Sequence, residues 1–166
     1  MKSIITGASG FIGQHLSAML KSMGDEIVTL SRKDFDTEKS DLLVRKLEGA
    51  NRIFNLAGAS LNHRWTHEYK KELFNSRINT TAKLVSAINK LQTPPALFVS
   101  TSAIGYYPSD GAYIESAEVS TPTFLGYICR RWEKEAEQIN PGTRLVITRL
   151  APVLSNDGGI FPAIAS

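Results

Sequence analysis

Thr6-Gly7-Ala8-Ser9-Gly10-Phe11-Ile12-Gly13 is the stretch whose residue types and spacing point most directly to chemistry. It follows the apolar run Ser3-Ile4-Ile5. It opens a segment in which Phe11, Ile12, His15, Leu16, Met19, Leu20 and Met23 recur at helical spacing. Strand, glycine-rich turn and helix in that order form the context of a dinucleotide-binding loop. The glycines let backbone N–H groups approach a pyrophosphate with no Cβ in the way, and the helix turns its positive N-terminal end toward the phosphate charge. The expected contacts are Gly7, Ser9, Gly10, Phe11 and Ile12.

A second group lies at Leu30-Ser31-Arg32-Lys33, after the next apolar run. An Asp or Glu at the end of that strand would accept hydrogen bonds from the adenine-ribose hydroxyls of NAD. Two cations and a hydroxyl suit a 2′-phosphate instead, with Arg32 offering a planar, bidentate contact. The reading is therefore NADP, held by Arg32 and Lys33. Asp34 and Asp36 stand near enough to keep NAD as the lesser alternative. Ser100-Thr101-Ser102-Ala103-Ile104-Gly105-Tyr106-Tyr107 closes a later apolar run, and ligands of open α/β sheets bind beyond such strand ends. His63 and His67 are four apart but have no third ligand nearby, so no metal site is expected. Cys129 reads as a buried helix thiol, and Trp65 and Trp132 as packing residues.

The elements that must position these groups alternate along the chain. Strands are expected at Lys2–Thr6, Glu26–Ser31, Arg52–Leu56, Ala96–Thr101 and Thr143–Leu150, with a further short one around Lys33–Asp36. Helices are expected over Phe11–Met23, Glu38–Leu47, Thr66–Leu91 and Thr123–Ile139; loops are expected over Tyr107–Thr121 and Asn156–Gly159, and a helix begins within Phe161–Ser166. This alternation predicts an α/β fold, a doubly wound parallel sheet of Rossmann type in three α/β/α layers.

The 166 residues suffice for one domain, with 42% hydrophobic and 21% charged residues. No apolar run reaches membrane-spanning length, and the N-terminus lacks the layout of a signal peptide. A net charge of +3 with scattered basic residues gives no nucleic-acid footprint. One cysteine cannot form an internal disulfide, which fits a reducing, cytoplasmic setting.

The glycine loop, spaced GxxGxxG, resembles that of the extended short-chain dehydrogenase/reductases, the superfamily of nucleotide-sugar epimerases and dehydratases. Asn55-Leu56-Ala57-Gly58 is similar to the family segment along the adenine and ribose, which implies cofactor contacts at Leu56, Ala57, Gly58 and Ala59, with Thr101 also against the cofactor. The family's catalytic Ser or Thr matches Ser102, whose hydroxyl would donate to the substrate oxygen. Its acid/base Tyr matches Tyr127, and the Lys four residues on is replaced by Arg131. Arginine supplies the permanent charge but no proton relay.

A narrower resemblance rests on Asn55–Ala59, Arg64-Trp65-Thr66, Ser76-Arg77, Ser102–Tyr107, Cys129–Glu133 and Asp157-Gly158-Gly159. It is to the atypical group called epimerase family proteins, or nucleoside-diphosphate-sugar epimerases, some of which go by the name cell-division inhibitor. Arg77 stands where most extended members have an Asn. The resemblance implies hydride transfer on a small carbonyl, hydroxyl or nucleotide-sugar substrate, with a non-catalytic NADP(H)-binding regulator as the alternative. Family members are longer, so a C-terminal substrate lobe is expected beyond these residues. Related enzymes often dimerise through the two long helices, which makes a homodimer possible here.

Overall fold

The computed structural model describes residues 1–35, 40–117, 122–156 and 158–159. Five parallel strands form one sheet: β1 (Lys2–Thr6), β2 (Glu26–Leu30), β3 (Arg52–Asn55), β4 (Leu97–Ala103) and β5 (Arg144–Leu150), in the order β2-β1-β3-β4-β5. The helices are α1 (Phe11–Ser22), α2 (Ser40–Leu47), α3 (His67–Phe74), α4 (Thr80–Ile88) and α5 (Phe124–Ala136).

The chain moves outward from β1 to β2, then reverses across β1 to β3 and continues to β4 and β5. Right-handed crossovers therefore put α1 on one face and the later helices on the other. The packing agrees. Leu43 and Leu47 of α2, Leu84, Val85 and Ile88 of α4, and Ala136 of α5 share one core with Ile4, Ile53 and Phe98 of the sheet. Alternation along β1 sends Ile5 to the other side, also fully buried. This is a Rossmann-like α/β fold.

Four sequence expectations change. The short strand near Lys33–Asp36 is instead a 3₁₀ turn over Arg32–Phe35. The Asp34 carboxylate accepts from the Ser31 backbone N–H at 2.7 Å and from the Ser31 hydroxyl at 2.9 Å, a local bonding pattern that competes with a strand; Asp36 lies outside the described residues. The single helix over Thr66–Leu91 is α3 and α4 joined by a π-helical turn at Asn75–Asn79. Thr66 caps α3 by accepting from Tyr69 N–H at 3.2 Å. The expected Asn156–Gly159 loop ends instead in a short strand, β7 (Gly158–Gly159), paired antiparallel with β6 (Leu154–Ser155), and Gly159 takes a φ of 72°. Lastly, α5 begins at Phe124, one residue after its cap Thr123, and ends at Ala136 rather than Ile139. The start of the expected Glu38–Leu47 helix, the end of the Tyr107–Thr121 loop, Asp157 and Phe161–Ser166 lie outside the described residues. Among the described residues no helix is long and apolar enough to cross a membrane.

Candidate active site

The reversal of winding direction falls between β1 and β3, so the loops leaving those two strands diverge and open a crevice at their carboxyl ends. Its floor is a buried polar network. Thr6 Oγ1 donates to Asn55 Oδ1 at 2.8 Å and accepts from the N–H groups of Leu56 and Ala57 at 3.0 and 3.1 Å. Asn55 Nδ2 donates to Thr81 Oγ1 at 2.7 Å, which also accepts from Trp132 Nε1 at 2.9 Å. Thr101 Oγ1 donates to the Asn55 carbonyl at 2.9 Å. One residue from each of three strands thereby fixes where the loops leave the sheet.

The glycine loop is packed too tightly for side chains. A Cβ on Gly7 would lie 2.6 Å from the Leu56 carbonyl oxygen, and Gly7 has a φ of 67°. A Cβ on Gly13 would lie 2.3 Å from the Gly7 carbonyl oxygen. Gly10, the cap of α1, offers no side-chain hydrogen bond to the helix, and the first turn carries no acidic residue. The N–H groups of that turn thus face a cradle with neither a capping oxygen nor a carboxylate, which suits a phosphate group.

Two cavities flank this loop. The first, about 650 Å³, runs from Gly7, Ser9 and Gly10 to Ser31 and Arg32, with Glu72 and Ser76 on its far wall. The second, about 730 Å³, extends past Phe11 and Ile12 to Thr101, Ser102, Ile128 and Trp132. They share Gly7, Gly10 and Leu56 through Ala59, so they form one groove with two ends. Eleven of the twelve expected cofactor residues line it: Gly7, Gly10, Leu56, Ala57, Gly58 and Ala59 in both cavities, Ser9 and Arg32 in the first, and Phe11, Ile12 and Thr101 in the second.

Lys33 does not line the groove; it borders a separate depression with Asp34, Leu42, Arg45 and Lys46. Arg32 stands at the rim, 84% exposed, with Nη1 3.4 Å from Glu72 Oε1.

The three expected catalytic residues are not brought together. Ser102 is on the wall of the second cavity, 2% exposed, and its hydroxyl donates to Glu133 Oε1 at 2.5 Å. Tyr127 is 47% exposed, stacks on Phe74 with centroids 6.2 Å apart, and lines neither cavity. Arg131 pairs with Glu135, one turn further along α5, at 3.5 Å.

Neither Glu133 nor Arg149 is an expected site residue, yet the two form a bidentate ion pair at the site. Arg149 Nε and Nη2 donate to Glu133 Oε1 and Oε2 at 2.9 and 2.8 Å. Arg149 Nη1 donates to the Tyr107 hydroxyl at 2.5 Å, and its Cζ lies 3.7 Å from the Tyr106 ring centroid. The hydrogen bonds to Glu133 hold the Arg149 guanidinium well above its ordinary range. Strand alternation carried the signal: Arg149 is in register with Ser102 on the adjacent strand. Cys129 is buried, and burial pushes its thiol up, away from the nucleophilic form.

Residues 3–150 match the NAD dependent epimerase/dehydratase family. The chain belongs to that family. It is 36% identical to an epimerase family protein of Staphylococcus aureus (strain N315), over 94% of this chain and 56% of the relative. It is 34% identical to the chloroplastic epimerase family protein SDR39U1 homolog of Arabidopsis thaliana, over 93% and 50%. The chain spans about half the length of the curated relatives it matches. Among solved structures, that of human epimerase family protein SDR39U1 (isoform 2) with NADPH superposes with a TM-score of 0.88 at 32% identity, covering 99% of this chain and 58% of that one. A nucleoside-diphosphate sugar epimerase from Corynebacterium glutamicum gives 0.79 at 29% identity, covering 99% and 36%.

Proposed function

We propose that this chain is the dinucleotide-binding portion of an NADP(H)-dependent oxidoreductase or epimerase-like enzyme acting on a small carbonyl, hydroxyl or nucleotide-sugar substrate. The observation that carries the reading is the continuous groove, with a phosphate cradle at its middle and Arg32 and Ser102 toward opposite ends. The first-turn N–H groups of α1 and the Gly7–Ile12 backbone would hold the pyrophosphate, Leu56–Ala59 the adenine ribose, and Arg32 the 2′-phosphate. NADPH in the crystal structure of the human relative supports that choice over NAD. Bound NADP(H) would exchange a hydride with a carbon bearing oxygen.

The protein's own task is then to hold that oxygen and its proton. Ser102 has one hydroxyl proton, and it is donated in the hydrogen bond to Glu133. Ser102 therefore presents lone pairs to the cavity and accepts from a substrate hydroxyl, unless it turns away from Glu133 to donate to a carbonyl. Tyr127, with Arg131 one turn away, remains the candidate for moving the proton, but its side chain stands outside both cavities. That outward position favours a second reading, an NADP(H)-binding regulator on the same fold that catalyses nothing.

Calorimetric titration with NADPH and NADH in parallel tests the first reading. NADPH should bind about tenfold more tightly or better, the scale of one charge-assisted contact, and Arg32→Ala should abolish the preference. Equal affinity for the two, or no binding of either, would overturn it. Tight NADPH binding without substrate-linked oxidation across a panel of carbonyls, alcohols and sugar nucleotides would favour the regulator.

A further inference from the structure

The second cavity is walled mostly by apolar side chains and backbone, with Ser60, Thr101 and Ser102 among them, and of its described lining residues Arg77 alone carries a formal charge. Its guanidinium is clamped. On one side is Gly58, where a Cβ would lie 3.0 Å from Arg77 Cζ; on the other is the Trp132 ring, 5.5 Å from Cζ to centroid. Nη2 donates to the Ala59 carbonyl at 2.9 Å, and Nη1 to the Leu73 carbonyl at 3.2 Å and the Ser76 hydroxyl at 3.5 Å. These acceptors satisfy hydrogen bonds and leave the charge unneutralised. Nε–H and one N–H of Nη2 have no acceptor among the described residues.

Four other arginines have a carboxylate partner: Arg52 is paired with Asp25, Arg149 with Glu133, Arg131 with Glu135 and Arg32 with Glu72. Arg45, Arg64 and Arg144 have no such partner among the described residues, but they are exposed and their charge is solvated. Arg77 has no carboxylate partner among the described residues, although burial disfavours its charged form. A guanidinium does not escape this by deprotonating, so a cation held in an apolar wall calls for an anion from outside the fold.

We propose that Arg77 is the counter-charge for an oxyanion of the substrate, so that the molecule taken by this cavity bears a carboxylate or phosphate group. This rests on the reading of the second cavity as the substrate end of the groove. The same oxyanion chemistry is present in the cofactor's pyrophosphate, and the test separates the two sources.

Cyclohexanecarboxylate and cyclohexanecarboxamide have nearly one shape and differ in charge. Each is titrated by calorimetry into the unmodified chain, with and without saturating NADP⁺. Emission of Trp132, the remaining indole in a Trp65→Phe background, gives a second readout directly against the guanidinium. The carboxylate should bind about tenfold more tightly than the amide, with NADP⁺ present as well as absent. Arg77→Met should abolish the difference and leave NADP⁺ affinity within about twofold. Equal binding of the two probes, or a preference that survives Arg77→Met, overturns the proposal. So does displacement of the carboxylate by NADP⁺ together with weaker NADP⁺ binding in Arg77→Met, which would assign the charge to the pyrophosphate. Failure of NADP⁺ itself to bind would sink the cofactor reading alone, since the two probes are also compared without it.

Discussion

At the scale of single residues, the site depends on where a few protons are committed. Glu133 is 6% exposed and accepts from Ser102 and twice from Arg149. Truncating it strands a partly buried guanidinium, so Glu133→Ala should cost roughly 3–5 kcal/mol in urea unfolding, the scale of a broken buried pair. Glu133→Gln keeps an oxygen for Arg149 and should cost clearly less. A Glu133→Ala loss below about 1 kcal/mol would show the pair to be no more than a surface salt bridge. Thr6 presents a similar case with neutral groups. Thr6→Val removes the donor to Asn55 and the acceptor for two loop N–H groups, and should destabilise by about 1–3 kcal/mol, measured in the same way. None of these partnerships is visible in the sequence, because each joins residues 16 to 51 positions apart. What the sequence does carry is residue type, and type alone does not tell a buried, paired Glu133 from a solvated charge on a helix.

At the scale of elements, the glycine loop was legible because its constraint is local. A strand, a glycine-rich turn and a helix start lie within a dozen residues, and the chain builds them in that order. Gly13 sits inside α1, where alanine ordinarily stabilises a helix by about 1 kcal/mol. Here a Cβ would fall 2.3 Å from the Gly7 carbonyl oxygen, so Gly13→Ala should lower the melting temperature and abolish NADPH binding. Unchanged stability would mean that the loop and helix are farther apart than they stand here. The elements that were misread are those decided by a single side-chain bond or a single extra residue. Asp34 folds back on Ser31 and turns an expected strand into a 3₁₀ turn. The π-helical turn at Asn75–Asn79 interrupts what helical periodicity presents as one rod. It also brings Ser76 within 3.0 Å of the Ala59 N–H and Arg77 within reach of the Ala59 carbonyl. Deleting Asn75 should restore a regular helix, carry Ser76 off the Ala59 N–H and weaken NADPH binding through that loop, observable by calorimetry.

At the scale of the whole molecule, the parallel α/β class followed from the alternation of elements, while the order of the strands and the pairing of the groove's two ends emerged only in three dimensions. The edge of the sheet opposite the groove has its own electrostatic tie. Ser3 donates to Asp25 Oδ2 at 2.6 Å, and Arg52 pairs with the same carboxylate, linking β1 and β3 to the turn before β2. The Ser3 hydrogen bond holds the Asp25 carboxyl below its ordinary value against the opposing effect of burial, with Arg52 adding to the lowering. A carboxyl depressed in the folded state adds stability above its unfolded pKa of about 4 and loses it as pH falls through the folded value. Urea midpoints should therefore hold steady above about pH 5 and decline below about pH 4, and Asp25→Asn should flatten part of that decline. An unaltered acid profile in the variant would remove Asp25 from the account.

The π-helical turn also settles a matter of phase. An α-helix repeats its facing direction every 3.6 residues, so a straight rod can present one stripe to one core. The extra residue at Asn75–Asn79 resets that angular count partway along. Leu73 and Ile78 before and within it point to the cluster around Ile128 and Trp132, and Leu84, Val85 and Ile88 after it point to the cluster under the sheet. One continuous helical stretch thereby serves two interiors, and from the turn between them Asn75 and Ser76 line the groove's first cavity and Arg77 its second.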